Sequence, residues 1–247
     1  MGMIRVGIGG WTFEPWRGTF YPPGLKQKDE LAYATAHLTT IEINGTYYRL
    51  QTEKSFAQWA KAAPDGFVYA LKASRYCTNR KVLAEAEESV EKFVNQGIAE
   101  LGEKLGPILW QFAPTKVFDQ EDMGAFIALL PSAVAGVPLR HALEVRHESF
   151  RDPAFVALAK KANVAIVRAD HGEYPLIEAD TADFTYARLM RSVEEERTGY
   201  APEAIERWAD EARRWAAGGD AFVYFISGAK VRAPAAAQAF IAKLKAD

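Results

Sequence analysis

The sequence predicts an α/β fold, a single (β/α)8 barrel of the TIM type. Three observations point to it. Short β-rich runs alternate with segments of helical period from end to end, eight such runs can be counted, and 247 residues is the length such a barrel takes as one unit. The expected strands are 4–8, 40–44, 67–72, 108–111, 142–146, 164–168, 184–189 and 222–226. In a closed barrel the last run pairs with the first. An open doubly wound sheet is the alternative.

Between the strands, apolar residues recur every three to four positions. Phe56, Trp59, Ala60 and Ala63 share one helix face, as do Val90, Phe93, Val94, Ile98 and Leu101. Ile205, Trp208, Ala209, Ala212 and Trp215 form a third stripe behind Pro202, which suits a first helical turn. Ala237, Phe240, Ile241 and Leu244 form the last. Turn signals separate the units: Pro64-Asp65-Gly66, Gly106-Pro107 and Gly218-Gly219-Asp220 each precede a strand. No linker divides the chain, so residues 1–247 are expected as one domain, with Met3 an alternative start and Met1-Gly2 an added remnant.

Composition removes several classes. Hydrophobic residues make up 49% and charged residues 25%, the balance of a globular chain rather than a disordered one. The net charge is −2, against the basic balance of a general nucleic-acid binder, so nucleic acid is not the expected partner. Cys77 is the single cysteine, which excludes an intrachain disulfide and a cysteine zinc site. It reads as a packed side chain. No run is long enough to span a bilayer and no signal-peptide pattern opens the chain, so a cytoplasmic protein is expected.

Nucleotide and hydrolase motifs fail on inspection. Gly7-Ile8-Gly9-Gly10 follows a strand, but the third glycine of a dinucleotide fingerprint falls at Thr12 and no helix start follows. There is no GxSxG elbow and no GxxxxGK[ST] loop, and His147-Glu148 lacks the second histidine of HExxH.

The informative feature is polar residues at strand ends. Side chains two apart share a face of a strand, so Glu42 goes with Asn44, Glu144 with Arg146 and Tyr186 with Arg188. Lys72 and Gln111 close the third and fourth strands, and Asp170 lies just past the sixth. Helices jacket the outside of a barrel, so these polar residues should point inward near the C-terminal mouth, where barrel active sites lie. Trp11, Tyr47, Tyr48 and Tyr186 are candidate walls.

These residues sit in longer motifs: Gly7-Ile8-Gly9-Gly10-Trp11 with Phe20-Tyr21-Pro22, then Glu42-Ile43-Asn44-Gly45-Thr46-Tyr47-Tyr48, Phe67-Val68-Tyr69-Ala70-Leu71-Lys72, Leu105-Gly106-Pro107-Ile108-Leu109-Trp110-Gln111, Glu144-Val145-Arg146-His147-Glu148-Ser149-Phe150, Tyr186-Ala187-Arg188-Leu189 and Val223-Tyr224-Phe225. Taken together they resemble the YecE-like family, number seventy-two among the domains of unknown function. The resemblance covers nearly the whole chain. It implies a TIM barrel and no established reaction. The chain departs from the family pattern where Met190-Arg191 replaces His-Gly, where Thr78-Asn79 replaces Thr-His, and where Ile226-Ser227-Gly228 replaces asparagines. Two histidines that would ligate a metal or shuttle a proton are thus missing.

The functional expectation is a small-molecule enzyme, a hydrolase, lyase or isomerase, with a polar, cation-containing pocket for a phosphate or carboxylate ligand. Lys72, Arg146 and Arg188 would bind the anion, Glu42, Glu144 or Asp170 would supply acid or base, and Asn44 and Gln111 would orient the ligand beside Trp11, Tyr47 and Tyr186. A desolvated Lys72 next to two arginines would lose basicity, which suits general-base or Schiff-base chemistry. Each assignment has a structural counterpart: Glu42 and Asn44 as loop locks, Glu144–Arg146 as an ion pair, the arginines neutralised by the three carboxylates. Two alternatives stay open, a non-catalytic metabolite-binding barrel and a metal-dependent hydrolase or isomerase acting on sugar or nucleic acid. No cofactor or metal ligand set is expected. A divalent metal on Asp170-His171 with Glu42 and Glu144 is disfavoured, because the interleaved cations compete for the same oxygens. Arg191 and Arg197, in the acidic loop after the seventh strand, are candidates for a closing lid, and Arg75, Arg80 and Lys81 for a basic rim. The sequence does not give the oligomeric state.

Overall fold

Every strand in the central sheet runs parallel to its neighbours, and the chain returns to where it began. The computed structural model describes residues 2–246, so the expectation for Met1 lies outside it. The strands are β1 (Ile4–Gly9), β2 (Thr40–Ile43), β3 (Val68–Lys72), β4 (Leu105–Gln111), β5 (His141–Glu144), β6 (Ala165–Ile166 and Arg168–Asp170), β7 (Phe184–Leu189) and β8 (Asp220–Phe225). Each pairs with the next, and β8 pairs with β1 from Ile4↔Ala221 to Ile8↔Phe225. The sixth strand is broken at Val167. Its first half pairs with β5 and its second with β7, so the barrel closes through a strand interrupted by one residue.

Helices α1 (Glu30–His37), α2 (Glu53–Ala62), α3 (Glu87–Val94), α4 (Gln120–Ala128), α5 (Pro153–Lys161), α6 (Pro202–Ala216) and α7 (Ala233–Ala246) cover the outside. No helix follows β6 among the described residues. There Gly172 takes a left-handed φ of 92° and Pro175 stands three residues on, both poor helix material. The expected stripe from Val90 to Leu101 is two pieces rather than one helix. Gly97 turns the chain at φ 109°, and 98–104 continues as 3-10 turns. Thr52, Asp119 and Asp152 cap α2, α4 and α5 through side-chain oxygens on the N-terminal amides. No helix among the described residues is long and apolar enough to cross a membrane.

Two apolar layers result from strand alternation. Ile41, Ile43, Leu71, Ile108, Trp110, Leu143 and Leu189 face the helices. Val68, Ala70, Leu109, Ala142, Val167, Ala169, Tyr186, Phe222 and Tyr224 fill the barrel itself. Gly7 lets β1 lie close against β2: a Cβ there would stand 1.9 Å from the Thr40 carbonyl oxygen. At the N-terminal end Arg140 stacks on Phe184 and Phe222 and pairs with Asp220 at 3.1 Å, while Arg5 reaches the Gly66 carbonyl. That end is plugged, and the barrel opens at the other.

His141 is buried in the layer between barrel and helices. Its Nδ1 accepts from Trp110 Nε1 at 3.0 Å, which leaves the proton on Nε2 to donate to the Pro131 carbonyl at 2.8 Å. Burial lowers its pKa below 6.5, outweighing the carbonyl, and protonation at Nδ1 would break the Trp110 bond. A folded-state pKa below the unfolded one contributes stability that is complete above about 6.5 and declines as the pH falls toward the folded value. Urea midpoints should therefore drop from pH 7.5 to pH 5.5, with a shallower slope in His141→Gln. Parallel slopes would contradict this role.

Candidate functional site

The polar strand ends meet at the open mouth. Arg188, on β7, reaches across the barrel with only 3% of its side chain exposed. Its Nε and Nη2 donate to the two Glu42 oxygens, each at 3.1 Å, and its Nη1 donates to Glu144 Oε2. Both glutamates are fully buried. Glu42 also accepts from Tyr186 Oη at 2.7 Å. Glu144 also accepts from Gln111 Nε2 at 2.8 Å and from Arg146 Nε at 2.6 Å. Four strands, β2, β4, β5 and β7, are thereby tied by one network of charge-assisted hydrogen bonds. Burial alone would raise the Glu144 carboxyl; Arg188 and Arg146 outweigh it and hold the pKa at about 2. Burial and the adjacent Glu42 carboxylate push the Tyr186 phenol well above its ordinary value, so it stays protonated and donating.

Above this floor lies a cavity of about 720 Å³. Its floor and sides carry Lys72, Gln111, Asn44, Arg146 and an edge of Arg188, with Trp11, Tyr48 and Trp59 as an aromatic wall and Arg49 and Lys230 at the rim. Gly9 keeps the passage open, since a Cβ there would stand 2.4 Å from Ile226 and 2.9 Å from the Asn44 amide. The wall is braced from behind: Trp11 packs edge-on against Trp59, and its carbonyl accepts from Tyr21 Oη. The rim is braced as well. Lys230 lies over Phe13 at 4.3 Å, and its carbonyl accepts from Trp16 Nε1 at 2.9 Å. Arg146 stacks on Tyr174 at 4.5 Å.

Lys72 differs from the arginines. No ion pair or hydrogen bond engages its Nζ among the described residues; its neighbour is the face of Tyr47, 4.3 Å away. Desolvation and the Arg188 charge bring its pKa down to about 8, against the weaker pull of Glu42 and Glu144.

The structure thus gathers Glu42, Lys72, Gln111, Glu144, Arg146, Tyr186 and Arg188 at one end of the barrel, with Trp11 and Asn44 on the cavity wall. Glu42, Glu144 and Tyr186 lie beneath the cavity lining rather than in it. Tyr47 supports Lys72 from below, and its hydroxyl accepts from Asn79. Asp170 departs from the expectation. On β6 the inward positions are 165, 167 and 169, so Asp170 shares the outward phase of Arg168 and pairs with Arg191 at 3.7 Å. It is no part of the cavity. Arg191 is spent there, and Arg80 turns onto the Tyr76 and Glu85 carbonyls of its own loop. Arg49, Trp59 and Lys230 escaped the sequence reading. Arg49 and Lys230 lie on loops beyond the strand ends, and Trp59 looks like one more core position of a helical stripe. Among the described residues, no three His, Cys, Asp or Glu side chains are grouped to hold a metal ion.

The family described as "Protein of unknown function DUF72" matches residues 5–247. A DUF72 family protein of Thermotoga maritima superposes with a TM-score of 0.79 at 22% identity, covering 99% of this chain and 100% of that one. One from Enterococcus faecalis gives 0.76 at 19%, covering 98% and 96%. The UPF0759 protein YunF of Bacillus subtilis is 25% identical over 158 residues, which are 62% of this chain and 54% of that protein. The match thus spans about half the length of this curated relative. At these identities the solved structures establish the barrel.

Removing Arg188 would strand two carboxylates in a dry interior. Arg188→Leu should cost about 3–5 kcal/mol in denaturant unfolding, and adding Glu42→Gln and Glu144→Gln should recover much of it. A loss below about 1 kcal/mol, or no recovery, would show that the network does not hold the mouth together.

Proposed function

The chain belongs to the DUF72 family of proteins of unknown function, and from that premise we propose that its barrel mouth binds a small anionic molecule carrying phosphate or carboxylate. One observation carries the reading: five cationic side chains and no carboxylate line the cavity. Arg146 and Arg188 are balanced by the two glutamates behind them, which leaves Lys72, Arg49 and Lys230 in excess. Lys72 matters most, because it is the deepest of the three and its charge is the least screened by water.

This reading reassigns the glutamates. Each accepts hydrogen bonds from arginine and from a neutral neighbour, so neither has an oxygen free to take a proton from a ligand. Their role is to aim Arg188 and Arg146. Gln111 and Asn44 supply neutral hydrogen bonds at the cavity floor, and Trp11, Tyr48 and Trp59 offer ring faces to the uncharged part of the ligand. Enzyme or non-catalytic binder, the molecule would use the same pocket.

Thermal shift with inorganic phosphate, sulfate and malonate tests the proposal. At least one should raise the melting temperature saturably, and Lys72→Met should weaken that anion about tenfold. Affinity should fall as the pH rises through about 8, where Lys72 loses its proton. No saturable shift with any of the three, or equal affinity in Lys72→Met, would overturn it.

A further inference from the structure

We propose that Lys72 is a nucleophile that captures the carbonyl carbon of an aldehyde or ketone bearing an anionic group, forming a reversible imine at the barrel mouth. The proposal rests on the anion-binding reading and adds a covalent step to it.

Three geometric facts support it. First, the amine borders a cavity of about 720 Å³ that has room for a ligand beside it. Second, the nearby carboxylates are committed elsewhere: Glu42 to Arg188 and Tyr186, and Glu144 to Arg188, Arg146 and Gln111. A lysine paired to a carboxylate keeps its proton and is no nucleophile, whereas an unpaired buried amine gives up its proton readily. Third, cations flank it. Arg188 from β7 and Arg146 from the end of β5 line the same cavity as its amine, Glu42 and Glu144 lie beneath that lining, and Tyr47 meets Nζ with a ring face at 4.3 Å rather than an acceptor. The same arginines that disfavour a protonated amine attract the anionic end of the ligand and bring its carbonyl to Nζ.

The bond changes balance without a co-reactant. The Nζ lone pair forms the C–N bond as the carbonyl oxygen takes a proton, giving a carbinolamine. The C–O bond then breaks, and the carbonyl oxygen leaves as water with both amine protons. Hydrolysis reverses the sequence. Neither glutamate takes part, because each is held by arginine.

Trapping with glyoxylate and cyanoborohydride, followed by peptide mapping, tests it. Glyoxylate supplies an aldehyde on a carboxylate, and hydride reduction fixes the imine as carboxymethyl-lysine. At pH 7.5 Lys72 should be modified about tenfold faster than the surface lysines, and phosphate should protect it. Lys72→Arg should abolish the fast adduct. If Lys72 reacts no faster than exposed lysines while phosphate still stabilises the protein, the nucleophile is overturned and the anion site stands. Fast labelling of Lys72 with no protection and no melting shift by phosphate, sulfate or malonate would keep the nucleophile and overturn the anion site, and the carbonyl ligand would then be a neutral one.

Discussion

The mouth of this barrel depends on one guanidinium. Arg188 spans from β7 to Glu42 on β2 and Glu144 on β5, and through them fixes Tyr186, Gln111 and Arg146. A buried ion group of this kind gives little net stability, since desolvation offsets much of the attraction, but it is intolerant of losing a member. Its consequence is geometric. Two carboxylates that would otherwise neutralise the cavity are turned inward and saturated, so the surface left for a ligand is cationic.

Closure of the ring makes that possible. Strands far apart in sequence bring Glu42, Glu144 and Arg188 within hydrogen-bonding distance only because β8 returns to β1 and β6 bridges β5 to β7 through its interruption at Val167. Plugging the opposite end with Arg5, Arg140 and Asp220 leaves a single open face for polar chemistry. Lys72 stands at that face without a carboxylate partner, and burial, reinforced by the Arg188 charge, lowers its basicity.

Much of this was legible in the sequence. The period-two alternation of Glu42 with Asn44, Glu144 with Arg146 and Tyr186 with Arg188 marks inward faces, because the alternating Ile41 and Ile43 must meet the helices. The rule failed at Asp170, which the sequence placed just past a strand without fixing its phase; the inward series 165, 167 and 169 sends it the other way. The stripe from Val90 to Leu101 keeps helical spacing across a break at Gly97, and spacing alone does not reveal the left-handed turn. Lys230 and Arg49 lie on loops, where position is set by contacts such as Trp16 to the Lys230 carbonyl that no local pattern encodes. That Arg188 rather than Lys72 takes the carboxylates was also beyond the sequence, which supplied three cations and three acids without saying which would pair.

The chemistry of the cavity turns on Lys72 being left unpaired, and the ionisation of its amine reports that directly. Reductive ¹³C-methylation of the lysines, with the Lys72 resonance assigned by its loss in Lys72→Arg, gives its titration by NMR. The network described here places the midpoint near 8 and moves it upward when phosphate is added. A midpoint at the ordinary lysine value near 10.5, indifferent to phosphate, would mean that a carboxylate holds the amine after all.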